Sequence, residues 1–160
     1  MAALALSDSE PERALVLARQ VVARPGDTDM AYPVAGEVAT RNGERLEALI
    51  YFDKAVDSAY WRGFRPGLGA VLGRVASLLA EDNPEAAAVL FGAADAMLPG
   101  YAHSRAYVEA RERATANLEA SIGNPRLAQL HSLGETMTES DATRYAHAAI
   151  SGALRDDGSE

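Results

Sequence analysis

The 160-residue sequence predicts an all-α fold of stacked antiparallel helix pairs, about eight helices in all. Three observations lead there. Alanine makes up about a fifth of the chain and β-branched runs are almost absent. Because alanine loses no side-chain entropy in a helix, that bias favours helix throughout. Residues that start and stop helices recur at short intervals. A small apolar pattern also appears three times, as Ala14/Ala18/Val21, Ala48/Phe52/Ala55 and Ala87/Phe91/Ala94, at intervals of 34 and 39 residues. Helix pairs repeated at such a period bury one another's apolar faces by stacking.

The elements follow in order. A helix over 9–24 opens on Ser9, with Pro11 and Glu12 behind it in the arrangement of a capping box. A second, over 31–42, starts at Ala31 rather than Thr28, since Pro33 would clash with the carbonyl four residues back. Gly43 stops it, and 44–62 follows. The segment Arg62 to Gly67 reads as a long connection that supplies the five extra residues of the second interval, so the next helix covers 68–82. Asn83-Pro84-Glu85 caps 84–98, and Ser104 heads 104–122. Gly123 and Asn124-Pro125 separate that helix from 125–136. Thr138 to Asp141 begins the last, 139–154, with acids at the positive end of the helix dipole and Gly152 near its stop.

Composition narrows the function classes. A net charge of −8 with no basic arm argues against gripping a phosphate backbone. Cysteine is absent, which removes disulfides and thiolate metal sites. No apolar run reaches membrane-spanning length, the N-terminal stretch lacks a basic n-region and MAALAL is too short for a signal core, so the expected location is cytoplasmic. Lys54 is the only lysine among 15 basic residues, a bias that points to a high-GC bacterial genome.

The repeat register resembles the tetratricopeptide family. Tyr32 lies where that family carries its large aromatic, Gly36 where the paired helices approach closely, and Gly43 at the turn. The third unit keeps Ala87, Phe91, Ala94 and Pro99, but Val71, Arg74 and Val75 depart from the pattern in its opening helix. The first unit lacks its opening helix, which predicts an uncovered apolar stripe of Leu15, Ala18 and Val22. A longer array or a homodimer would cover it. The tail is similar to the helical C-terminal region of large bacterial signalling ATPases and of LuxR-type or adenylate-cyclase-linked transcription regulators. That similarity is carried by Gly92, Ala93, Ala94, Ala96, Leu118, Gly123, Gly134, Met137, Thr138, Ala142, Tyr145 and Ala146. The resemblance implies a right-handed superhelix with repeats over 1–99, a helical cap over 100–154 and a disordered tail over 155–160. It implies a regulatory setting without ATP or DNA binding by these residues, because there is no GxxxxGK[ST] loop and no helix-turn-helix.

Chemistry is sparse. His103, His131 and His147 fall on different segments, with no pair at metal-ligand spacing, so they read as partly exposed helix residues and no metal is expected. Glu109 and Arg113 read as a surface pair, Ser7, Ser9 and Ser104 as caps, and no nucleophile motif occurs. No catalysis and no cofactor are expected. The expected function is protein or peptide binding, within a larger regulator or with a partner chain; the alternative is sensing of a small effector that controls an ATPase. In such arrays the first helix of each pair lines the groove, which predicts Met30, Glu37, Arg41, Leu72, Ala76 and Leu79 as its wall. A second candidate surface is the aromatic cluster Tyr60, Trp61, Phe64 and Arg65, with Tyr51 nearby, residue types enriched in interface hot spots.

Overall fold

The computed structural model describes residues 10–24, 30–98 and 105–157, and every regular element among them is an α-helix. Among the described residues eight helices follow one another: α1 Pro11–Val22, α2 Ala31–Arg41, α3 Arg45–Trp61, α4 Arg65–Leu79, α5 Pro84–Met97, α6 Arg105–Ile122, α7 Asn124–Glu135 and α8 Glu139–Asp157. The expected number is met, and every boundary falls within three residues of its expectation.

The differences have local causes. α1 begins behind Glu10, which makes no side-chain capping bond, and the expected cap Ser9 lies outside the described residues, as do Ser7 and Ser104. α2 starts at Ala31, which leaves Pro33 in the first turn, where no backbone N–H is required. Gly43 ends it at φ +76, a conformation open to glycine. The connection expected over 62–67 is only three residues long, because α4 already starts at Arg65. Gly63 turns the chain at φ +63, Pro66 occupies the first turn, and the Phe64 ring lies against Gly67, where a Cβ would collide with it. Residues 80–82, expected to be helical, form the turn before Asn83, whose Oδ1 accepts the Ala86 N–H at 3.2 Å as expected of a cap. Asn124 is not the cap of α7. Gly123 holds that position at φ +75, which draws Asn124 into the first turn. Thr138 caps α8 through the Asp141 N–H at 3.1 Å. Gly152 does not stop α8: nothing crowds it, and the helix continues through residues 155–157, expected in the polar tail.

Contacts divide the chain into two units, residues 1–58 and 59–160. In the first unit α1 packs on α2, and Ala14, Leu15 and Ala18 are buried. Of the apolar stripe expected to be uncovered, Leu15 and Ala18 are therefore core and Val22 is half-buried, while the exposed large apolar residues of α1 are Val16 and Val21. α2 meets α3 where Gly36 faces Phe52: a Cβ on Gly36 would stand 2.5 Å from the ring. A bidentate ion pair ties α1 to α3. Arg19 Nε donates to Glu47 Oε1 at 2.9 Å and its Nη2 to Oε2 at 2.6 Å, while the Tyr51 hydroxyl donates to Oε1 at 2.7 Å. The Arg19 guanidinium holds the Glu47 carboxyl below its ordinary value, and burial together with Glu47 pushes the Tyr51 hydroxyl up to about 12.

The second unit is organised around α5, which packs chiefly on α4 and α7. Every residue of α5 from Ala86 to Ala94 is buried, so this helix is apolar all round, as a central helix must be. Its crossing with α7 is backbone on backbone. A Cβ on Gly92 would overlap the His131 carbonyl, and a Cβ on Gly134 would overlap the Val89 carbonyl and stand 2.8 Å from the Ala93 nitrogen. Gly69 and Gly73 of α4 likewise admit Met97 and Tyr107 at close range. The boundary expected at 99/100 falls inside this unit, at residues outside those described.

Candidate functional site

Leu72, Ala76 and Leu79 are fully buried, so the expected groove wall loses half its members. The reason is that α4 is covered by α5, α6 and α8, which leaves it no open apolar face. Met30 is 63% exposed, Glu37 is half-buried and Arg41 is exposed at the end of α2. Glu37 and Arg41 pair with each other at 3.4 Å, the surface i, i+4 interaction that their spacing allows.

The aromatic cluster does form a surface, and it lies within the second unit. Trp61 is 80% exposed and Phe64 51% exposed, one on each side of the Gly63 turn. The half-buried Tyr60 meets the Trp61 indole edge to face, with centroids 5.5 Å apart. Arg65 anchors the turn from beneath: Nη1 donates to Glu139 Oε1 at 2.9 Å and Nη2 to the Ala96 carbonyl at 3.1 Å. Arg62 is exposed and has no ion pair among the described residues. The two large apolar side chains therefore stand on a braced turn beside an uncommitted guanidinium. Tyr51 is not part of this surface; its hydroxyl is committed to Glu47.

A second site has no counterpart among the sequence expectations. α6 and α7 both pack on α5 but touch each other sparsely, and a cleft of about 420 Å³ opens between them. Phe91 and Leu118 form its floor, Arg111, Thr115 and Glu119 line the α6 side, and Leu127, Ala128, His131 and Ser132 line the α7 side. One carboxylate oxygen bridges the two walls. Asp95 Oδ2 accepts from Arg111 Nη2 at 2.6 Å and lies 2.9 Å from His131 Nε2, while His131 Nδ1 lies 3.6 Å from Glu135. The Arg111 guanidinium also stacks over the Phe91 ring, 4.5 Å from its centroid. Burial pulls the Arg111 guanidinium down, but Asp95 and Tyr107 together outweigh this and leave it above its ordinary value.

Among the described residues no group of three or more His, Asp or Glu side chains can hold a metal ion. His103 lies outside the described residues, and His147 is half-buried on α8. The expected pair of Glu109 with Arg113 is replaced by Glu109 with Arg105, one turn earlier, at 2.7 Å. No helix among the described residues is long and apolar enough to cross a membrane. No family model, curated protein or solved structure matches the chain. Function therefore rests on the two surfaces themselves.

Proposed function

We propose that the chain is a non-catalytic helical-repeat scaffold that docks a protein partner, as the regulatory portion of a bacterial signalling or transcription regulator. One observation carries the docking role: Trp61 and Phe64 stand exposed on a turn braced through Arg65 to Glu139 and Ala96. Large aromatic rings in water favour burial, and a braced turn loses little conformational entropy when a partner covers it. The close approach of Phe52 to Gly36 supports a tetratricopeptide-like register for the second helix pair. The regulatory setting rests on the resemblance of the tail alone.

The test is the loss of a specific partner. Trp61→Ala/Phe64→Ala should abolish capture of the protein that the unaltered chain retains, with thermal unfolding nearly unchanged because both side chains are exposed. Arg105→Ala/Glu109→Ala, which removes an exposed surface pair, should leave capture intact. Identical partners for both double variants would remove the aromatic turn as the docking site.

A second reading, sensing of a small effector, is favoured by the cleft between α6 and α7. Its volume lies in the range of small-molecule sites, its floor is apolar, and polar groups converge on its walls.

A further inference from the structure

We infer that the cleft between α6 and α7 takes a small apolar molecule bearing a protonated amine, held by Glu119 over the floor of Phe91 and Leu118. This rests on the effector-sensing reading and adds to it the chemical class of the ligand.

Shape comes first. The cleft is bounded at one end by the Gly123 turn that joins the two helices and at the other by the Asp95 bridge between Arg111 and His131. Phe91 and Leu118 close the floor with almost none of their own surface exposed, and Leu127 and Ala128 carry apolar surface into the opening above them. The body of a ligand seated there must therefore be apolar, a ring or branched chain of modest size. Ala128 projects only a methyl group from α7 and is exposed, which keeps the space between the walls open.

Charge decides the other end of the ligand. The two nitrogen bases in the lining, Arg111 and His131, are both engaged by Asp95, and Arg111 also covers a face of Phe91. An anionic ligand would have to displace Asp95 from a 2.6 Å charge-assisted bond before Arg111 could receive it. Glu119 has no side-chain hydrogen bond or ion pair among the described residues, so the uncommitted charge of the cleft is negative. The Thr115 and Ser132 hydroxyls are uncommitted as well and can accept or donate beside it. An apolar body with an ammonium head meets all three conditions; a carboxylate head can use the hydroxyls but meets the like charge of Glu119.

The experiment titrates the full chain with phenethylamine, 2-phenylethanol and 3-phenylpropionate, which share a ring and differ in the head group. Chemical shifts of the α6 and α7 amides report where each binds. The amine should bind about tenfold more tightly than the alcohol, the difference that one charge-assisted bond makes, and the acid should be weakest. Glu119→Gln should reduce the amine to the affinity of the alcohol. Ala128→Trp, which fills the cleft from an exposed position, should remove binding of all three while circular dichroism stays unchanged. Equal affinities for amine and alcohol, or an amine advantage that survives Glu119→Gln, would overturn the ligand class and leave the cleft standing as a site. Absence of binding by all three compounds, or binding that survives Ala128→Trp, would overturn the cleft as a site and the effector reading with it.

Discussion

The two units solve the same packing problem with different materials. In the first, the glycine at the α2–α3 approach faces the edge of an aromatic ring, Gly36 against Phe52. In the second, the glycines at the α5–α7 crossing face peptide groups, Gly92 against the His131 carbonyl and Gly134 against that of Val89. A ring can rotate or be exchanged for a smaller side chain, whereas a carbonyl moves only if its helix moves. The first contact is adjustable by mutation; the second is fixed by the backbone. Polar ties differ in a parallel way. The first unit joins α1 to α3 through a carboxylate shared with a tyrosine, Glu47, and the second joins α6 to α7 through Asp95, shared with a histidine.

The largest effect should come from removing the rings. Phe52 and Phe91 are both buried, and truncating either to alanine should cost about 3–5 kcal/mol. Hydrogen exchange, which resolves each unit separately, should place the loss in residues 1–58 for Phe52→Ala and in 59–160 for Phe91→Ala. A loss below about 1 kcal/mol at Phe91 would show that its cavity collapses at little cost.

Overpacking the glycines comes next and tests the comparison directly. Gly92→Ala should destabilise the second unit by about 1–3 kcal/mol or more, and Gly36→Ala should cost the first unit less. A double-mutant cycle then separates the mechanisms. Phe52→Leu should relieve much of the Gly36→Ala penalty, a coupling on the order of 1 kcal/mol between residues in contact. Truncating His131 to alanine should relieve none of the Gly92→Ala penalty, because the obstacle there is the His131 backbone. Equal rescue in both units would erase the distinction.

The smallest effect concerns pH in the first unit. Glu47 is depressed in the folded state by Arg19, so its contribution is present above the ordinary glutamate value, about 4.3, and fades as pH falls through the folded value. Tyr51 is raised to about 12, by burial first and by Glu47 second, so its contribution holds below its ordinary value and fades as pH rises toward the folded one. Glu47→Gln should flatten the acid limb of amide protection in residues 11–58 and leave that of the second unit as it was. An unchanged acid limb would mean that the ion pair, half exposed at Arg19, adds nothing measurable.

Much of the fold was legible because it is written in local signals. Asn83, Gly43 and Thr138 act within one turn of where they sit, so spacing alone located the helix ends they govern. The start of α4 was missed because Pro66 and Gly67 read as loop residues. In fact proline is accepted in a first turn, and the glycine makes room for the Phe64 ring. The expected groove failed at Leu72, Ala76 and Leu79 because repeat register assigns one face of a helix to the core, whereas α4 is covered by three neighbours. The cleft was invisible for another reason. Arg111, Asp95 and His131 are separated by 16 and 36 residues and carry no motif, and only the packing of three helices brings them together. Exposed Trp61 and Phe64 were legible by their place at the connection that leaves α3.

The glycine crossing of α5 and α7 has one more consequence. α5 presents Ala86, Ala87, Ala88, Val89, Leu90, Phe91, Gly92, Ala93 and Ala94 in succession, a run in which six small residues flank three larger ones. A partner helix can slide along such a run by a turn and bury a similar area, so hydrophobic burial alone leaves several alignments close in energy. Backbone contact at both glycines removes that degeneracy. Displaced along the axis, either helix would bring a methyl group or larger against a carbonyl, and only one alignment lets both glycines meet their counterparts. A sequence this rich in alanine reaches a single native pairing by forbidding its near copies as much as by favouring the correct one.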